Sequence, residues 1–498
     1  MGTVDLNWLG IAVIVGWLLS GFYAVDFAEN KASRDHIPAK LFPYITLLSL
    51  FFGPLILLML YTDQVFTSGF SKWFKKLHER RNHINITIMD ARGQEMYGQD
   101  SSNNDQATNA AIHELKKILY HGVLQHASDI FIDPKGSSAM TVRMRIDGAL
   151  RIFEELFQPL GDNLTNVIKV VSGMDITEKR RPQDGSFSID SDIGSASLRV
   201  ASVGAFGGEK ITLRLLGSTA GPLTLEDAGL RGGFLRCMKD AVRLTSGMVL
   251  ICGPTGSGKT TTLYALLKAI DYRMKNVISI EDPIEHVLPD VSQMEVNEKA
   301  DITFGKLLRN SLRQNPDVIC VGEIRDEETA EVAVHAAQTG HLIIATLHSN
   351  DNVGTIDRLV NLGVPLRSVA GVLQMIVSQR LVRKLCDCAV PDTASPELTE
   401  YMRMAGLPVN GLRKPCGCAK CGGTGFTGRV AIFDIMVMNN RLREIFENEN
   451  STMATVKIEL EKEHGSSIMA YEGYKLAAAG ITSIGEVERV TFDMEHSF

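Results

Sequence analysis

A glycine-rich loop is the part of the chain whose residue types and spacing point most directly to chemistry. The loop and the residue after it are Gly253, Pro254, Thr255, Gly256, Ser257, Gly258, Lys259, Thr260 and Thr261. An apolar run precedes the loop and a helical pattern follows it, which is the context of a phosphate-binding loop. Its backbone N–H groups can close around a β-phosphate, Lys259 would hold the β- and γ-phosphates, and Thr260 would offer its hydroxyl to Mg²⁺. The sequence therefore predicts a nucleotide-binding site.

Two acidic residues follow apolar runs further along the chain. Residues 277–280 lead directly into Glu281, and residues 318–321 lead through a glycine into Glu323. Hydrolysis needs a carboxylate that orients water or holds a metal ion at the end of a neighbouring strand. We expect Glu323 on the Mg²⁺ side and Glu281 as the base that polarises water. The alternative is that both acids are solvated strand ends.

These residues need a sheet to position them, and the second half of the chain has the pattern of one. Apolar runs at 248–252, 277–280, 318–321 and 342–346 alternate with helical patterns. This alternation is typical of a mostly parallel sheet with helices on its faces, so we predict an α/β domain over residues 230–498. A hinge at 220–229, which contains a glycine and a proline, precedes it. Residues 109–219 mix helices and alternating strands and predict an α+β domain.

Two uncharged runs, at 6–25 and 41–62, are each long enough to cross a bilayer as a helix. A signal peptide, the first alternative, is disfavoured because no basic residue precedes the first run. Buried helices of a soluble domain are the second alternative. More Lys and Arg residues follow the second run than lie between the runs, which places both ends in the cytoplasm. We predict a transmembrane helical hairpin at 1–62, then a juxtamembrane segment and flexible linker at 63–108.

Composition excludes several classes of protein. The 498 residues include 51 Lys and Arg against 58 Asp and Glu, a formal net charge of −7. This balance disfavours a general nucleic-acid coat, and no direct nucleic-acid partner is expected. Five of the eight cysteines lie between residues 386 and 421. In a chain of this length, the clustering favours metal binding in a reducing compartment over a disulfide scaffold.

Four motifs in a fixed order resemble those of the secretion ATPase superfamily, and most of all its type II secretion and type IV pilus assembly branch. They lie at 253–260, 277–285, 313–326 and 339–350, and the resemblance extends over residues 111–491. It implies a RecA-like P-loop motor domain preceded by a PAS-like second N-terminal domain at 109–219. It also implies ATP and Mg²⁺ as ligands and a homohexameric ring.

The resemblance gives each candidate site residue a role. Lys259 and Thr260 match the Walker A lysine and threonine, Glu281 the catalytic glutamate and Glu323 the Walker B glutamate, which also holds Mg²⁺. Arg199 and Arg214 match the arginines that reach the γ-phosphate. His341 and His348 match the histidines that respond to it. The histidines could instead be ordinary core residues, and the arginines ordinary surface residues. Whether the arginines serve their own chain or a neighbour is left open.

The clustered cysteines resemble the zinc module of this family, inserted in the motor domain at about 383–429. Cys418 and Cys421 match its closing pair, whereas Cys386 and Cys388 are separated by one residue instead of two, and Cys416 adds a fifth thiol. We expect Cys386, Cys388, Cys418 and Cys421 to bind a structural Zn²⁺, with ordinary thiols as the alternative. Retraction ATPases typically lack this module, which favours assembly over retraction.

The function that the resemblance implies is ATP hydrolysis that powers assembly of a type IV pilus or a type II secretion pseudopilus. The implied partners are an inner-membrane platform protein, pilin or pseudopilin subunits acting indirectly, and membrane lipids around the hairpin. The implied location is the inner membrane, with the catalytic part in the cytoplasm. A retraction ATPase, a conjugative or type IV secretion ATPase that moves DNA or effectors, and a nucleotide-binding scaffold with little turnover remain alternatives.

Overall fold

The computed structural model describes residues 86–90, 92–97, 106–136, 138–216, 224–448, 451–464 and 468–491, all within one compact unit. The expected transmembrane hairpin at 1–62 and most of the segment at 63–108 lie outside these residues. No helix in the described part of the chain is both long enough and apolar enough to cross a membrane. Within the segment expected as a linker, residues Ile86–Met89 form a strand whose isoleucines are buried.

An eight-stranded antiparallel sheet, here called the N-terminal sheet, occupies the first part of this unit. In spatial order it runs β2-β1-β6-β7-β8-β3-β4-β5. Its strands are β1 (Ile86–Met89), β2 (Glu95–Met96), β3 (Ala127–Lys135), β4 (Ala139–Ile146), β5 (Ala149–Phe157), β6 (Gln183–Ser191), β7 (Ala196–Ala205) and β8 (Gly208–Leu216). Helices α1 (Gln106–Leu124) and α2 (Gln158–Val171) pack together and against it. Buried and exposed residues alternate along β7, as expected for a sheet with one covered face.

A seven-stranded sheet, here called the motor sheet, follows in the order β11-β10-β12-β13-β9-β14-β17. Its strands are β9 (Gly247–Cys252), β10 (Val277–Glu281), β11 (Ser292–Glu295), β12 (Val318–Val321), β13 (Leu342–Leu347), β14 (Leu373–Leu385) and β17 (Phe426–Val437). All neighbours are parallel except β14 and β17, which pair antiparallel. Strands β15 (Val390–Pro391) and β16 (Arg413–Lys414) form a separate small pair. The predicted α/β fold with a mostly parallel sheet is confirmed.

Helices surround the motor sheet. They are α3 (Gly232–Ala241), α4 (Lys259–Lys268), α5 (Phe304–Ser311), α6 (Glu327–Gln338), α7 (Asn352–Asn361), α8 (Leu366–Val372), α9 (Pro396–Met404), α10 (Asn440–Glu447), α11 (Met453–His464), α12 (Ile468–Ala478) and α13 (Ile484–Thr491). Along β9, Met248 and Leu250 belong to one apolar cluster, whereas Val249 and Ile251 belong to another. Because successive side chains point to opposite faces, this alternation places a helix layer on each side of the sheet.

The two sheets contact each other where the turn after β4 meets the start of β17. The backbone N–H of Gly428 donates to the Asp147 carboxylate at 2.9 Å. Arg151 on β5 donates to the hydroxyl of Thr424 at 3.3 Å. Residues 422–429 of the cysteine-rich segment therefore dock on a turn of the N-terminal sheet.

Candidate nucleotide hydrolysis site

The phosphate loop runs from the end of β9 to the start of α4 through backbone conformations that require glycine. Gly253 has φ of +149° and Gly258 has φ of +88°. A Cβ atom at Gly253 would lie 2.5 Å from the backbone oxygen of Gln379, and one at Gly258 would lie 2.8 Å from the Gln379 side-chain nitrogen. Close packing against β14 and left-handed φ values together fix the shape of the loop.

Lys259 is folded back over this loop. Its ammonium donates to the backbone oxygens of Gly253 at 2.8 Å and Pro254 at 3.2 Å, and it lies 3.4 Å from His348 Nδ1. The residue as a whole is only 9% exposed. Burial lowers the pKa of Lys259, and the carboxylate of Glu323 opposes that effect. A bound phosphate would give this ammonium a stronger partner than the carbonyl oxygens do.

His348 connects Lys259 to Glu323. Its Nε2 lies 3.1 Å from a Glu323 oxygen, while Arg325 donates to the other oxygen at 2.8 Å. Burial, and next the charge of Lys259, lower the pKa of His348, so the ring is neutral at pH 7. In a neutral ring one nitrogen donates and the other accepts. Nδ1 therefore accepts from Lys259 and Nε2–H donates to Glu323.

Glu281 lies on the strand next to Glu323. The carboxylate is buried at the end of β10, and the Ser279 hydroxyl donates to it at 2.7 Å. Strands β10 and β12 are paired, and Gly322 N–H donates to the backbone oxygen of Ile280 at 2.8 Å. The two predicted acids therefore lie at the carboxyl ends of their strands, which is also the end of the motor sheet where the phosphate loop follows β9.

The two predicted arginines are cross-strand neighbours on β7 and β8. Arg199 reaches the motor sheet of its own chain, where its guanidinium lies 3.4 Å from Asp282. Arg214 is held on the N-terminal sheet by Asp129, at 3.0 Å. Burial raises the pKa of Glu285 and the charge of Glu281 adds to that effect, whereas the charges of Arg214 and Arg199 oppose it.

His341 lies far from this group of residues. It immediately precedes β13, whereas His348 immediately follows it. Leu342 pairs with Gly247 and Leu347 with Cys252, so His341 is level with the start of β9 and His348 with its end. At ~3.3 Å per residue, the seven steps along the strand separate the two histidines by about 23 Å. The structure thus brings His348 to the phosphate loop and leaves His341 at the opposite end of the sheet.

Several residues of the site were absent from our sequence predictions. Asp282 contacts both Arg199 and Arg325, each at 3.4 Å, and thereby joins the N-terminal sheet to the Glu323 side of the site. Tyr264 donates to the Glu281 carboxylate. Asp282 and Arg325 lie within two residues of predicted acids, so proximity in sequence could have suggested them. Tyr264 gave no such signal.

A cavity of about 1110 Å³ opens beside the phosphate loop. Thr255, Ser257 and Asp351 line it, together with Arg380 and Arg429. Within the described residues, the buried hydroxyl oxygen of Ser257 and Nε of Arg380 have no hydrogen-bond partner. Buried polar groups are normally paired, so these two atoms are exceptions in the lining of the cavity.

Four of the clustered cysteines meet in space, namely Cys386, Cys388, Cys418 and Cys421, whose sulfur atoms all lie within 4.8 Å of one another. Cys386 and Cys418 are 3.8 Å apart, Cys388 and Cys421 3.9 Å, and Cys418 and Cys421 3.7 Å. A tetrahedron with Zn–S bonds of about 2.3 Å has sulfur–sulfur edges of about 3.8 Å, so the spacing fits Zn²⁺. Cys416 is exposed and lies outside the cluster.

Hydrogen bonds around Cys421 favour its thiolate. Burial acts to raise the pKa of this thiol, but backbone N–H donors from Cys418 and Gly425, each at 3.1 Å, help to lower it to about 6. A thiolate is the form that binds metal ions. The predicted ligand set is therefore placed together in a geometry and an environment suited to zinc.

A family model for the type II/IV secretion system protein matches residues 104–489. The type II secretion system protein E of Pseudomonas aeruginosa is 38% identical over 378 residues, which are 76% of this chain and 74% of that protein. The type IV pilus assembly ATPase PilB of Thermus thermophilus is 39% identical over 376 residues, 75% of this chain but only 42% of that protein. The crystal structure of the pilus retraction motor PilT with bound ADP is 26% identical, with a TM-score of 0.52 over 76% of this chain and 97% of that one.

Proposed function

Because this chain belongs to the type II/IV secretion system protein family, we propose that it is a Mg²⁺-dependent ATPase motor that powers assembly of a type IV pilus or a type II secretion pseudopilus. The relatives named for secretion and for pilus assembly are similar over three quarters of the chain. The similarity to a retraction motor is lower in identity. Assembly is therefore the function that the similarities support best.

The observation that carries the proposal is the chain of contacts from Lys259 through His348 to Glu323. In the proposed reaction, the loop and Lys259 bind the β- and γ-phosphates, and Thr260 and Glu323 hold Mg²⁺. Glu281 takes the proton of the attacking water, and Arg199 approaches the γ-phosphate from the N-terminal sheet. The contact of Arg199 with Asp282 of the same chain supports action on its own nucleotide.

His348 can link nucleotide binding to motion because it depends on both of its partners. A phosphate that binds Lys259 and a metal ion that binds Glu323 would compete with the contacts of His348 on both sides. The ring would then lose its acceptor role toward Lys259 and its donor role toward Glu323. A histidine whose two hydrogen bonds change with the nucleotide can report the state of the site to α7, which follows it.

The finer parts of the proposal concern assembly and location. The chain forms a homohexamer whose PAS-like domain, residues 109–219, precedes the hinge at 220–229 and the RecA-like motor. The uncharged runs at 6–25 and 41–62 support anchoring by a hairpin in the inner membrane, with the motor in the cytoplasm. An anchored ring works beside a membrane platform protein and acts on pilin or pseudopilin subunits through it. The anchor raises the effective concentration of the motor at that platform.

Zinc completes the proposed set of cofactors. Cys386, Cys388, Cys418 and Cys421 would hold it, with the geometry and the backbone N–H donors described above as support. The metal would supply no chemistry to hydrolysis. It would cross-link a segment that is too small to form its own core.

The test is to replace Glu323 with Gln in the native host and to compare sheared surface filaments by immunoblot for pilin-like subunits. We expect filaments to be lost, because the amide removes the carboxylate that holds Mg²⁺. Exposed Glu331 on α6 offers a matched control, and Glu331→Gln should keep wild-type filaments. Filaments that persist or multiply in Glu323→Gln would contradict assembly and favour retraction or transport of another cargo.

A further inference from the structure

Three hydrogen-bond donors converge on the proposed base. Glu281 ends β10 and is 5% exposed. The Ser279 hydroxyl donates to its Oε1 at 2.7 Å, and Nε2 of Gln293 on β11 donates to the same oxygen at 2.9 Å. The Tyr264 hydroxyl donates to Oε2. Each carboxylate oxygen therefore has a donor within the protein, which offsets the cost of burying the charge.

Tyr264 comes from the helix that carries the phosphate loop. It lies four residues after Thr260 on α4, so the two side chains share one face of that helix. Tyr264 is 4% exposed, and its oxygen accepts the backbone N–H of His286 at 3.1 Å. That N–H leaves the phenolic hydrogen directed at Glu281. Burial, and then the hydrogen bond to Glu281, raise the pKa of Tyr264 above its ordinary value, so it remains a donor.

Gln293 ties the segment between β10 and β11 to the same network. Its side-chain oxygen accepts the backbone N–H of Leu288 at 2.7 Å, while its nitrogen also donates to the backbone oxygen of His286 at 2.9 Å. The amide therefore cannot rotate without breaking bonds at both ends. Glu281 is held between a helix that binds nucleotide and a segment that packs against that helix.

We propose that Tyr264 is a positioning residue that orients the carboxylate of Glu281 as the base for hydrolysis. This inference rests on the proposed ATPase function. A donor to a carboxylate stabilises its charged form and lowers its proton affinity. Tyr264 and Thr260 lie on the same helix, α4. A movement of α4 when phosphates bind would therefore also change the orientation of Glu281. Ser279 and Gln293 support the same carboxylate from its other oxygen.

The test is Tyr264→Phe in the full chain, with kcat, KM and the pH dependence of ATP hydrolysis as measurements. We expect kcat to fall about tenfold, since a misdirected base loses part of its contribution. We expect KM for ATP to change by less than about twofold, because Tyr264 contacts the base and not the phosphate loop. Without the phenolic donor, the carboxylate binds a proton more tightly. The acid limb of the pH profile should therefore move up by about one pH unit.

Tyr272→Phe is the matched control, because the Tyr272 hydroxyl donates at 2.7 Å to the backbone oxygen of Leu267 instead of to Glu281. It should keep the wild-type kcat and acid limb. Should Tyr264→Phe fail to fold, Ser279→Ala removes a donor from the other oxygen and should move the acid limb in the same direction. If the wild type is active and the acid limb of Tyr264→Phe does not move, the inference is wrong but the proposed function stands. The same conclusion follows from an unmoved acid limb in Ser279→Ala where that variant replaces Tyr264→Phe. A wild-type chain that releases no phosphate from ATP overturns the proposed function with it.

Discussion

At Gly258, a single backbone dihedral determines how the phosphate loop enters α4. Its φ of +88° is one that residues with a Cβ rarely adopt, and the added atom would lie 2.8 Å from Gln379 Nε2. We expect Gly258→Ala to weaken ATP binding about tenfold, because left-handed strain costs about 1–2 kcal/mol. The measurement is the dissociation constant of a fluorescent ATP analogue. Gly371→Ala, at an open helical position, should bind like wild type. Equal affinity in both variants would contradict the prediction.

Residues of the site differ in how far the sequence could reveal them. The phosphate loop was predictable because glycine, lysine and threonine meet local needs of backbone and charge. Tyr264 was not, because it lies 17 residues from Glu281 and meets it only through packing of α4 on the sheet. The separation of His341 from His348 was equally hidden, since it follows from strand register and not from residue type.

Among the elements, α13 is attached to β14 by a buried carboxylate as well as by apolar packing. Glu486 is 3% exposed at its side chain and pairs with Arg383 and Arg489. Burial alone would raise the pKa of Glu486, but the arginines outweigh it and lower the pKa to about 2. We expect Glu486→Gln to reduce the free energy of unfolding at pH 7 by about 1.5–3 kcal/mol, the contribution of hydrogen bonds to a charged group. The midpoint of urea unfolding measures this.

The pH dependence of that difference gives a second check. Because the folded pKa is depressed, the stabilisation by Glu486 is fully present above an unfolded pKa of about 4.3 and is lost as the pH falls toward about 2. The gap between wild type and Glu486→Gln should therefore be constant from pH 7 to about pH 5 and shrink below that. Exposed Glu488→Gln, on the same helix, should leave the midpoint unchanged. A gap at pH 3 that is as large as the gap at pH 7 would refute the role of this charge.

Strands could be predicted from the sequence where every residue of the strand is buried. The apolar runs that became β9, β10, β12 and β13 are buried along their whole length, as strands covered on both faces must be. Strand β1 was missed because it has only four residues and is stabilised by pairing with β6, about 100 residues away. Pairing between distant segments leaves little trace in a local pattern.

Across the whole described part of the molecule, the cysteine cluster lies in the segment that docks the N-terminal sheet on the motor. Residues 422–429 follow Cys421 directly and include the partners of Asp147 and Arg151. Arg199 reaches Asp282 from the same sheet. The docking of these residues thus contributes to placing Arg199 beside the acids of the site. Losing the metal that we propose should loosen this docking before it affects the buried strands of the motor, which have their own core.

Zinc removal from the full chain tests this coupling. We expect a strong chelator to release about one zinc per chain, as one four-cysteine site implies. Amide hydrogen exchange should then rise at residues 145–151 and 422–429, while β9 and β13 keep their protection. Cys416→Ser is the matched control, because Cys416 lies outside the cluster and should change neither zinc content nor exchange. Unchanged exchange at residues 145–151 after zinc release would show that the N-terminal sheet is held by other contacts. A rise in exchange at both segments would instead mean that a metal cross-link in the motor domain helps to hold the sheet that carries Arg199.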